Sequence, residues 1–134
     1  MEEQKQTRIR RAAASSLLPD AQQKRDGMLR NPKEVAAEKE GKVPLDLLEP
    51  AADREIALAL AFGAAKYGLC NYAETPIAAR VYVAAIRRHV AAWLEGEEVA
   101  ADSGLHHLAH VGANVHVAIA AMKAGTFIDD RAAK

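Results

Sequence analysis

The segment "SGLHHLAHVGANVHVAIAAMKAG", residues 103–125, decides the fold class. It predicts one helix over residues 103–124. Asp102 or Ser103 can cap the start, and Gly125 can take the left-handed conformation that often ends a helix. Half of all residues are hydrophobic but only 4% are aromatic, and much of the apolar half is alanine, the residue that most favours helix. Pattern and composition together predict an all-α protein.

The centre of this segment predicts an apolar helix surface that other parts of the protein must bury. Residues 111–122 read VGANVHVAIAAM and carry no formal charge while His116 is neutral. A helix that is apolar all round is buried all round. Three helices of this length can hardly cover it, so we expect either the N-terminal residues or another subunit to complete the bundle.

Two further helices are predicted upstream, over residues 51–67 and 76–95. Pro50 suits the first position of the former helix, and Gly68 suits its left-handed exit. Thr75 suits the N-cap of the latter helix. The inward face of that latter helix carries Tyr82, Ile86, His89, Val90 and Trp93. No strand or hairpin signal competes, so the expected architecture is a helical bundle.

The N-terminal part of the chain predicts a separate arm. Residues 1–40 are highly charged and carry few large apolar side chains, which favours a partly helical or disordered arm before a helical domain over residues 41–134. "TRIRRAAASSLL", residues 7–18, is its candidate helix, and the Asn31-Pro32 pair is interpreted as a break. The basic side chains of the arm leave a nucleic-acid accessory role open as an alternative.

Charge and cysteine content narrow the function classes. The formal net charge is zero, so no whole-protein field attracts nucleic acid or an anionic membrane. Cys70 is the single cysteine, which makes an intramolecular disulfide impossible. No run approaches the roughly 18 apolar residues that a membrane span needs. These features predict a cytoplasmic protein without a membrane partner, and they argue against a nucleic acid as its partner.

Histidines converge where the second and third predicted helices meet. The connection between these helices is short, so they must be antiparallel neighbours. His89 lies about two turns before the end of one helix, and His107 and His110 lie about one to two turns after the start of the next. All three are therefore expected at a similar height. A lone core histidine is usually structural, but this convergence favours a site.

Carboxylates flank this histidine crevice. The candidate metal ligands are Glu97, Glu98, Asp102, His107 and His110. Carboxylate oxygens suit Mg²⁺ or Mn²⁺, and imidazole additionally suits Mn²⁺ or heavier ions. We therefore expect Mg²⁺ or Mn²⁺ here, with Asn114 on the same side of the helix as the two histidines. The alternative is a solvated turn in which each histidine is simply hydrogen-bonded.

"FGAAKYGLCNY", residues 62–72, ends the first of the three predicted helices. Its polar and aromatic groups are those expected around the phosphates and base of a nucleotide. They comprise the cation of Lys66, the rings of Tyr67 and Tyr72, and the amide of Asn71. A helix end with a snorkelling lysine explains the same residues equally well.

A set of motifs in fixed order resembles a known family. The motifs are "NPK" at 31–33, "KVPLDLLEP" at 42–50, "E…FGAAKYGLCNY" at 55–72, "RHVAAWLEGEE" at 88–98 and "DSGLHHLAH" at 102–110. The set covers about residues 31–124 and resembles the phage and bacterial dATP/dGTP diphosphohydrolase family. That family includes the MazZ-type enzymes of phages that replace adenine with 2-aminoadenine.

The resemblance implies an all-α nucleoside triphosphate pyrophosphohydrolase related to MazG, with its catalytic domain over residues 41–134. Such a helical bundle forms a homodimer or homotetramer with sites between subunits. The implied reaction is hydrolysis of a purine dNTP, dGTP and/or dATP, to the dNMP and pyrophosphate with Mg²⁺ or Mn²⁺. The implied role is to supply dGMP for 2-aminoadenine nucleotide synthesis, in the host cytoplasm if the chain is phage-encoded.

The resemblance also bears on the acids of the site. MazG-type sites carry E-x-x-E on one helix and E-x-x-D on the next. Glu95 and Glu98 have the spacing of the first pattern, whereas His107 and His110 stand where the second is expected. Either the histidines replace carboxylates, or an acid comes from elsewhere, with Glu55 as a candidate.

The resulting hypothesis gives each remaining residue a role. His89 or Glu55 orients the attacking water or acts as the general base. Lys66 holds phosphate oxygens, and the base stacks on Tyr67, Tyr72 or Trp93. One alternative is an HD-type nucleotide phosphohydrolase, although the chain contains no His-Asp dipeptide. Another is a non-enzymatic helical assembly or binding protein whose histidines are structural.

Overall fold

The computed structural model describes Met1, Gln4 and residues 31–132. The chain divides into two compact units, Met1–Leu45 and Asp46–Lys134. The candidate helix at residues 7–18 and most of the predicted arm lie outside the described residues.

The first unit contains helix α1, Pro32–Glu40. Asn31 caps it, because its side-chain oxygen accepts a hydrogen bond of 2.9 Å from the Lys33 backbone N–H. Proline at the first helical position costs no hydrogen bond, and Gly41 ends the helix with a φ of 64°. Interpreting the Asn31-Pro32 pair as a break was therefore wrong, because the pair starts a helix.

The second unit contains three long helices: α2, Pro50–Tyr67; α3, Ala79–Leu94; and α4, His107–Ala124. Two short strands, β1 (Ile77–Ala78) and β2 (Phe127–Ile128), pair in parallel, with Ile77 opposite Phe127. Single-turn 3-10 helices occur at Leu45–Leu47 and Asn71–Ala73. The chain is mostly helical, which confirms the all-α prediction. No helix in the described part is long and apolar enough to span a bilayer.

Helix α2 agrees closely with its prediction. It begins at Pro50, and its N-cap is Glu49, whose carboxylate accepts from the Ala51 backbone N–H at 3.0 Å. Gly68 follows its last residue with a φ of 99° and a ψ of 148°. The exit is therefore a positive-φ glycine as expected, but it is extended rather than left-handed helical.

Helix α3 begins later than predicted. Residues 77 and 78 are extended, because the Ile77 N–H donates to the Thr126 carbonyl at 2.9 Å and pairs β1 with β2. Thr75 and Pro76 therefore do not cap the helix. Instead, Asp130 accepts a hydrogen bond of 2.9 Å from the Arg80 backbone N–H in its first turn.

Helix α4 also begins later than predicted. Its N-cap is His106, whose Nδ1 accepts from the Leu108 backbone N–H at 3.0 Å. The expected cap by Asp102 or Ser103 was wrong, since Gly104 has a φ of 68° and Val99 pairs with His106 in an antiparallel bridge. Gly125 ends the helix in the left-handed conformation, as predicted.

The core between α2 and α4 is built from small side chains. Ala59, Ala109 and Ala113 are buried, and Ile56, Leu60 and Leu105 pack against them. Gly112 allows the backbone of α4 to approach α2 closely, because a Cβ at this position would lie 2.8 Å from two atoms of Ile56.

The described residues do not cover α4 on every side, and its cover by the N-terminal residues or by another subunit stays a prediction. Its apolar residues Leu108, Val115, Ile119 and Met122 are 41–54% exposed. Their spacing of seven, four and three residues places them along one stripe of the helix.

Candidate functional site

A cleft of about 860 Å³ opens between the C-terminal half of α2, the turn that follows it, and the facing sides of α3 and α4. Of the predicted site residues, those that line it are Lys66, Tyr67, Asn71, Tyr72, His89, Asp102, His110 and Asn114. The others, Glu55, Trp93, Glu97, Glu98 and His107, are not lining residues. The cleft is therefore lined by five of the six predicted substrate-binding residues but by only two of the five predicted metal ligands.

Three histidines form a cluster in one wall of this cleft, and we call His89, His107 and His110 the histidine cluster. His89 Nδ1 lies 2.9 Å from His107 Nδ1. The His89 and His110 rings stack with centroids 4.6 Å apart and planes 5° apart. The antiparallel packing of α3 and α4 produces this convergence, as the positions of the residues predicted.

His107 is the most enclosed member of the cluster, at 5% exposure. Its Nε2 is buried and makes no hydrogen bond to the described part of the chain. Glu97 Oε2 lies 3.4 Å from that nitrogen, which is close enough for an ion pair but not well directed for a hydrogen bond. The carboxylate therefore acts on His107 mainly through its charge.

His110 is held by a residue that the sequence suggested only as a helix cap. Ser103 Oγ lies 2.7 Å from His110 Nε2 and accepts a hydrogen bond of 3.2 Å from the Leu105 N–H. Phe62 packs edge-on against the same imidazole, with centroids 5.9 Å apart. No local sequence signal identified this role for Ser103, because the contact depends on the loop conformation at Gly104.

Burial lowers the pKa of two members of the cluster, His89 and His110. Desolvation lowers the pKa of His89, and the nearby His110 and His107 rings lower it further. Desolvation also lowers the pKa of His110, against a smaller opposing effect of Asp102. Both rings are therefore more readily neutral than an exposed histidine, and a neutral ring can accept a proton.

A cation and a carboxylate face each other across the cleft. Lys66 Nζ lies 3.3 Å from Asp102 Oδ2 and 4.7 Å from the centroid of the Phe62 ring. The hydrogen bond from Lys66 is the main reason that the pKa of Asp102 is lowered. Both side chains are about half exposed, so each is accessible to a ligand.

Asn114 and Arg88 add two polar groups to the lining. The Asn114 amide nitrogen donates to the His110 carbonyl at 2.8 Å, which leaves the amide oxygen as its remaining acceptor. Arg88 is exposed and also lines the cleft. The sequence feature that could have identified Arg88 is its position next to His89, which was predicted to face inward.

The three predicted carboxylate ligands each pair with a different side chain. Glu97 approaches His107, whereas Glu98 Oε2 lies 3.0 Å from Nε2 of His106. Asp102 pairs with Lys66. In the described ranges no three His, Cys, Asp or Glu side chains are placed to share one ion. The five-ligand set stays a prediction.

A smaller protein contribution does fit a divalent ion. Mg²⁺ often takes only one or two protein carboxylates and completes its shell with water and substrate phosphates. Asp102 offers one exposed carboxylate on the cleft lining. This arrangement suits an ion that enters with a polyphosphate better than an ion enclosed by protein ligands.

The fold and the site together define a small all-α domain with a cleft of nucleotide size beside histidines on two antiparallel helices. The family model described as "dATP/dGTP diphosphohydrolase, N-terminal" matches residues 32–131. The chain belongs to this family.

A curated relative agrees with this assignment. A dATP/dGTP diphosphohydrolase of Salmonella phage PMBT28 is 34% identical over 76 residues, which are 57% of this chain and 26% of that protein. The chain thus spans about a quarter of the length of the curated relative it matches. No solved structure matches the chain.

Proposed function

We propose that the cleft binds a purine dNTP, dGTP or dATP, and that the protein hydrolyses it to the dNMP and pyrophosphate. The observation that carries this proposal is the joint lining of one cleft by Lys66, Asp102, His89 and two tyrosines. Its volume of about 860 Å³ lies within the usual range of about 300–1,000 Å³ for small-molecule sites. Family membership supports a purine deoxynucleotide as the substrate.

The proposed binding mode follows from the chemistry of the lining. Lys66 contacts phosphate oxygens, because it is the cation at the open end of α2 and is only loosely paired with Asp102. Tyr67 is 70% exposed and offers a stacking surface for the base, as does Tyr72. Asn114 presents an amide acceptor that can meet an exocyclic amino group of a purine.

A divalent ion, Mg²⁺ or Mn²⁺, is proposed to enter with the triphosphate and to meet Asp102. Such an ion neutralises phosphate charge and makes a bound water more acidic. Among the base candidates the proposal favours His89, since it lines the cleft and Glu55 does not. Trp93 also lies outside the lining, so stacking is assigned to the tyrosines.

The proposal extends to assembly and pathway. The exposed apolar stripe on α4 supports a homodimer or homotetramer, because isolated apolar stripes of this kind are usually covered. A dGTP substrate would yield dGMP, the nucleotide that 2-aminoadenine synthesis needs. The relation to MazG-type enzymes is part of the same proposal.

The test is a product assay on the full chain with each dNTP and NTP in the presence of Mg²⁺ or Mn²⁺. The expected products are dGMP or dAMP with pyrophosphate. His89→Gln is expected to lower kcat by about 10²-fold or more, in keeping with loss of a general base. Glu74→Gln is the matched control, because Glu74 is exposed and does not line the cleft. Release of triphosphate would support the HD-type alternative, and no turnover at all would support the binding or assembly protein.

A further inference from the structure

We infer that Glu97 and His107 are positioning residues that hold His89 in the tautomer whose Nε2 lone pair faces the cleft. This inference rests on the proposed function, because it assigns His89 the role of base in that reaction. Neither Glu97 nor His107 lines the cleft, so both act through His89.

The contact between His89 and His107 restricts where the protons lie. Their Nδ1 atoms are 2.9 Å apart, a hydrogen-bond distance. A hydrogen bond between two ring nitrogens needs one donor and one acceptor. When both rings are neutral, one of them therefore carries its proton on Nδ1 and the other carries it on Nε2.

Glu97 decides which ring carries which proton. Its carboxylate oxygen lies 3.4 Å from His107 Nε2, which is buried and has no other partner among the described residues. A lone pair on that nitrogen would face the negative charge of Glu97, whose side chain is 60% exposed, whereas an N–H would face it favourably. His107 is therefore protonated on Nε2, and its Nδ1 accepts the hydrogen bond.

His89 consequently donates from Nδ1 and has an unprotonated Nε2. Nε2 of His89 makes no hydrogen bond to the residues that the structure describes, and His89 lines the cleft. The His110 ring stacks on the same imidazole with planes only 5° apart, which limits rotation of the His89 ring. The result is an acceptor atom with a fixed direction.

In the proposed hydrolysis this acceptor takes one proton from the attacking water. The water oxygen forms a new bond to phosphorus, and the phosphoanhydride bond between the α- and β-phosphates breaks. The electron pair of that bond leaves with pyrophosphate, and the proton stays on His89 Nε2. Two carboxylates favour the positive charge that develops on His89: Asp102 acts on the ring directly, and Glu97 acts through His107.

The first test observes the tautomers directly and needs no substrate. Long-range proton–nitrogen NMR correlations of the ¹⁵N-labelled full chain distinguish a protonated from an unprotonated ring nitrogen. Loss of signals in His89→Gln and in His107→Gln assigns the two rings. The expected pattern is a proton on Nδ1 of His89 and on Nε2 of His107. A proton on Nε2 of His89, a doubly protonated His107, or averaging between tautomers would overturn the inference.

The second test removes the carboxylate. Glu97→Ala is expected to make the tautomers of His89 mix and to lower kcat about tenfold or more, with KM within about threefold, because the substrate contacts are unchanged. Glu97→Gln keeps the size of the side chain but removes its charge, so it should mix the tautomers about as much as Glu97→Ala does. Glu74→Ala is the control, since Glu74 is an exposed carboxylate that does not line the cleft.

The outcomes separate this inference from the proposed function. If the wild-type protein hydrolyses no dNTP, the proposed function fails, and the catalytic role of His89 fails with it. If the enzyme is active but Glu97→Ala leaves both the tautomer and kcat unchanged, only the inference is overturned. A fall in kcat without any tautomer change would equally overturn it, because Glu97 would then act by another route.

Discussion

The contact between α2 and α4 can be tested with two glycines that differ only in their surroundings. Gly63 in α2 and Gly112 in α4 are both helical, so replacement by alanine should favour each helix by about 0.5–1 kcal/mol. A Cβ at Gly63 would meet nothing within 4 Å, whereas a Cβ at Gly112 would lie 2.8 Å from both Cγ1 and Cδ1 of Ile56. The two substitutions should therefore change stability in opposite directions.

The magnitude follows from this geometry. Gly63→Ala should raise the free energy of unfolding by about 0.5–1 kcal/mol, since only the helix effect operates. At Gly112 the clash involves Cγ1 as well as the side-chain tip, so Ile56 must leave its χ1 rotamer, and β-branched side chains are stiff there in helices. Overpacking costs about 1–3 kcal/mol, so Gly112→Ala should lower the free energy of unfolding by up to about 2 kcal/mol.

Urea unfolding followed by circular dichroism measures both variants against the wild type. A double-mutant cycle adds Ile56→Ala, which removes both clashing atoms. In that background Gly112→Ala should behave like Gly63→Ala and stabilise the protein. If Gly112→Ala stabilises the wild type as much as Gly63→Ala does, the close approach of α2 and α4 is refuted. The position of Lys66 relative to His110 would then also need revision, because these two helices carry them.

Three further outcomes are expected. The folded pKa values of His89 and His110 lie below the ordinary value of about 6.5, so the unfolded chain binds more protons as pH falls. The free energy of unfolding should therefore have its full value above about pH 7 and should decrease as the pH falls through about 6.5. The decrease should be weaker in His110→Gln. Urea midpoints measured across this pH range report both effects. Lys66→Met should raise the KM for a dNTP about tenfold with little change in kcat, while Lys66→Arg should retain most binding; an unchanged KM in Lys66→Met would exclude its phosphate role. Chelation with EDTA should abolish turnover, and added Mg²⁺ should restore it. EDTA should not shift the thermal midpoint of the free protein, because the described side chains form no three-ligand site. A large drop in that midpoint would indicate a tightly held ion.

The sequence predicted the bodies of the long helices better than their beginnings. Helix α2 has proline at its start and glycine after its end, and both signals are local. Helix α3 begins only after Ile77 and Ala78 because these residues pair with a strand about fifty positions later in the chain. No local pattern contains that partner, and a proline after threonine normally favours a helix start.

The convergence of the histidines could be predicted, but their pairing could not. Helical periodicity and a short connection placed His89 near His107 and His110. Which nitrogens meet depends on side-chain rotamers and on the loop that brings Ser103 to His110. The loop in turn depends on the positive φ of Gly104, a conformation that glycine permits but does not impose.

The carboxylates between α3 and α4 show why acids that are neighbours in the sequence can take different partners. Glu97 and Glu98 are adjacent, and they precede Val99, which pairs with His106 across an antiparallel bridge. Consecutive side chains along an extended segment point to opposite faces, so Glu97 meets His107 and Glu98 meets His106. The same alternation places Glu97 beside His107, whereas Asp102 acts on His89 and His110 from the lining of the cleft.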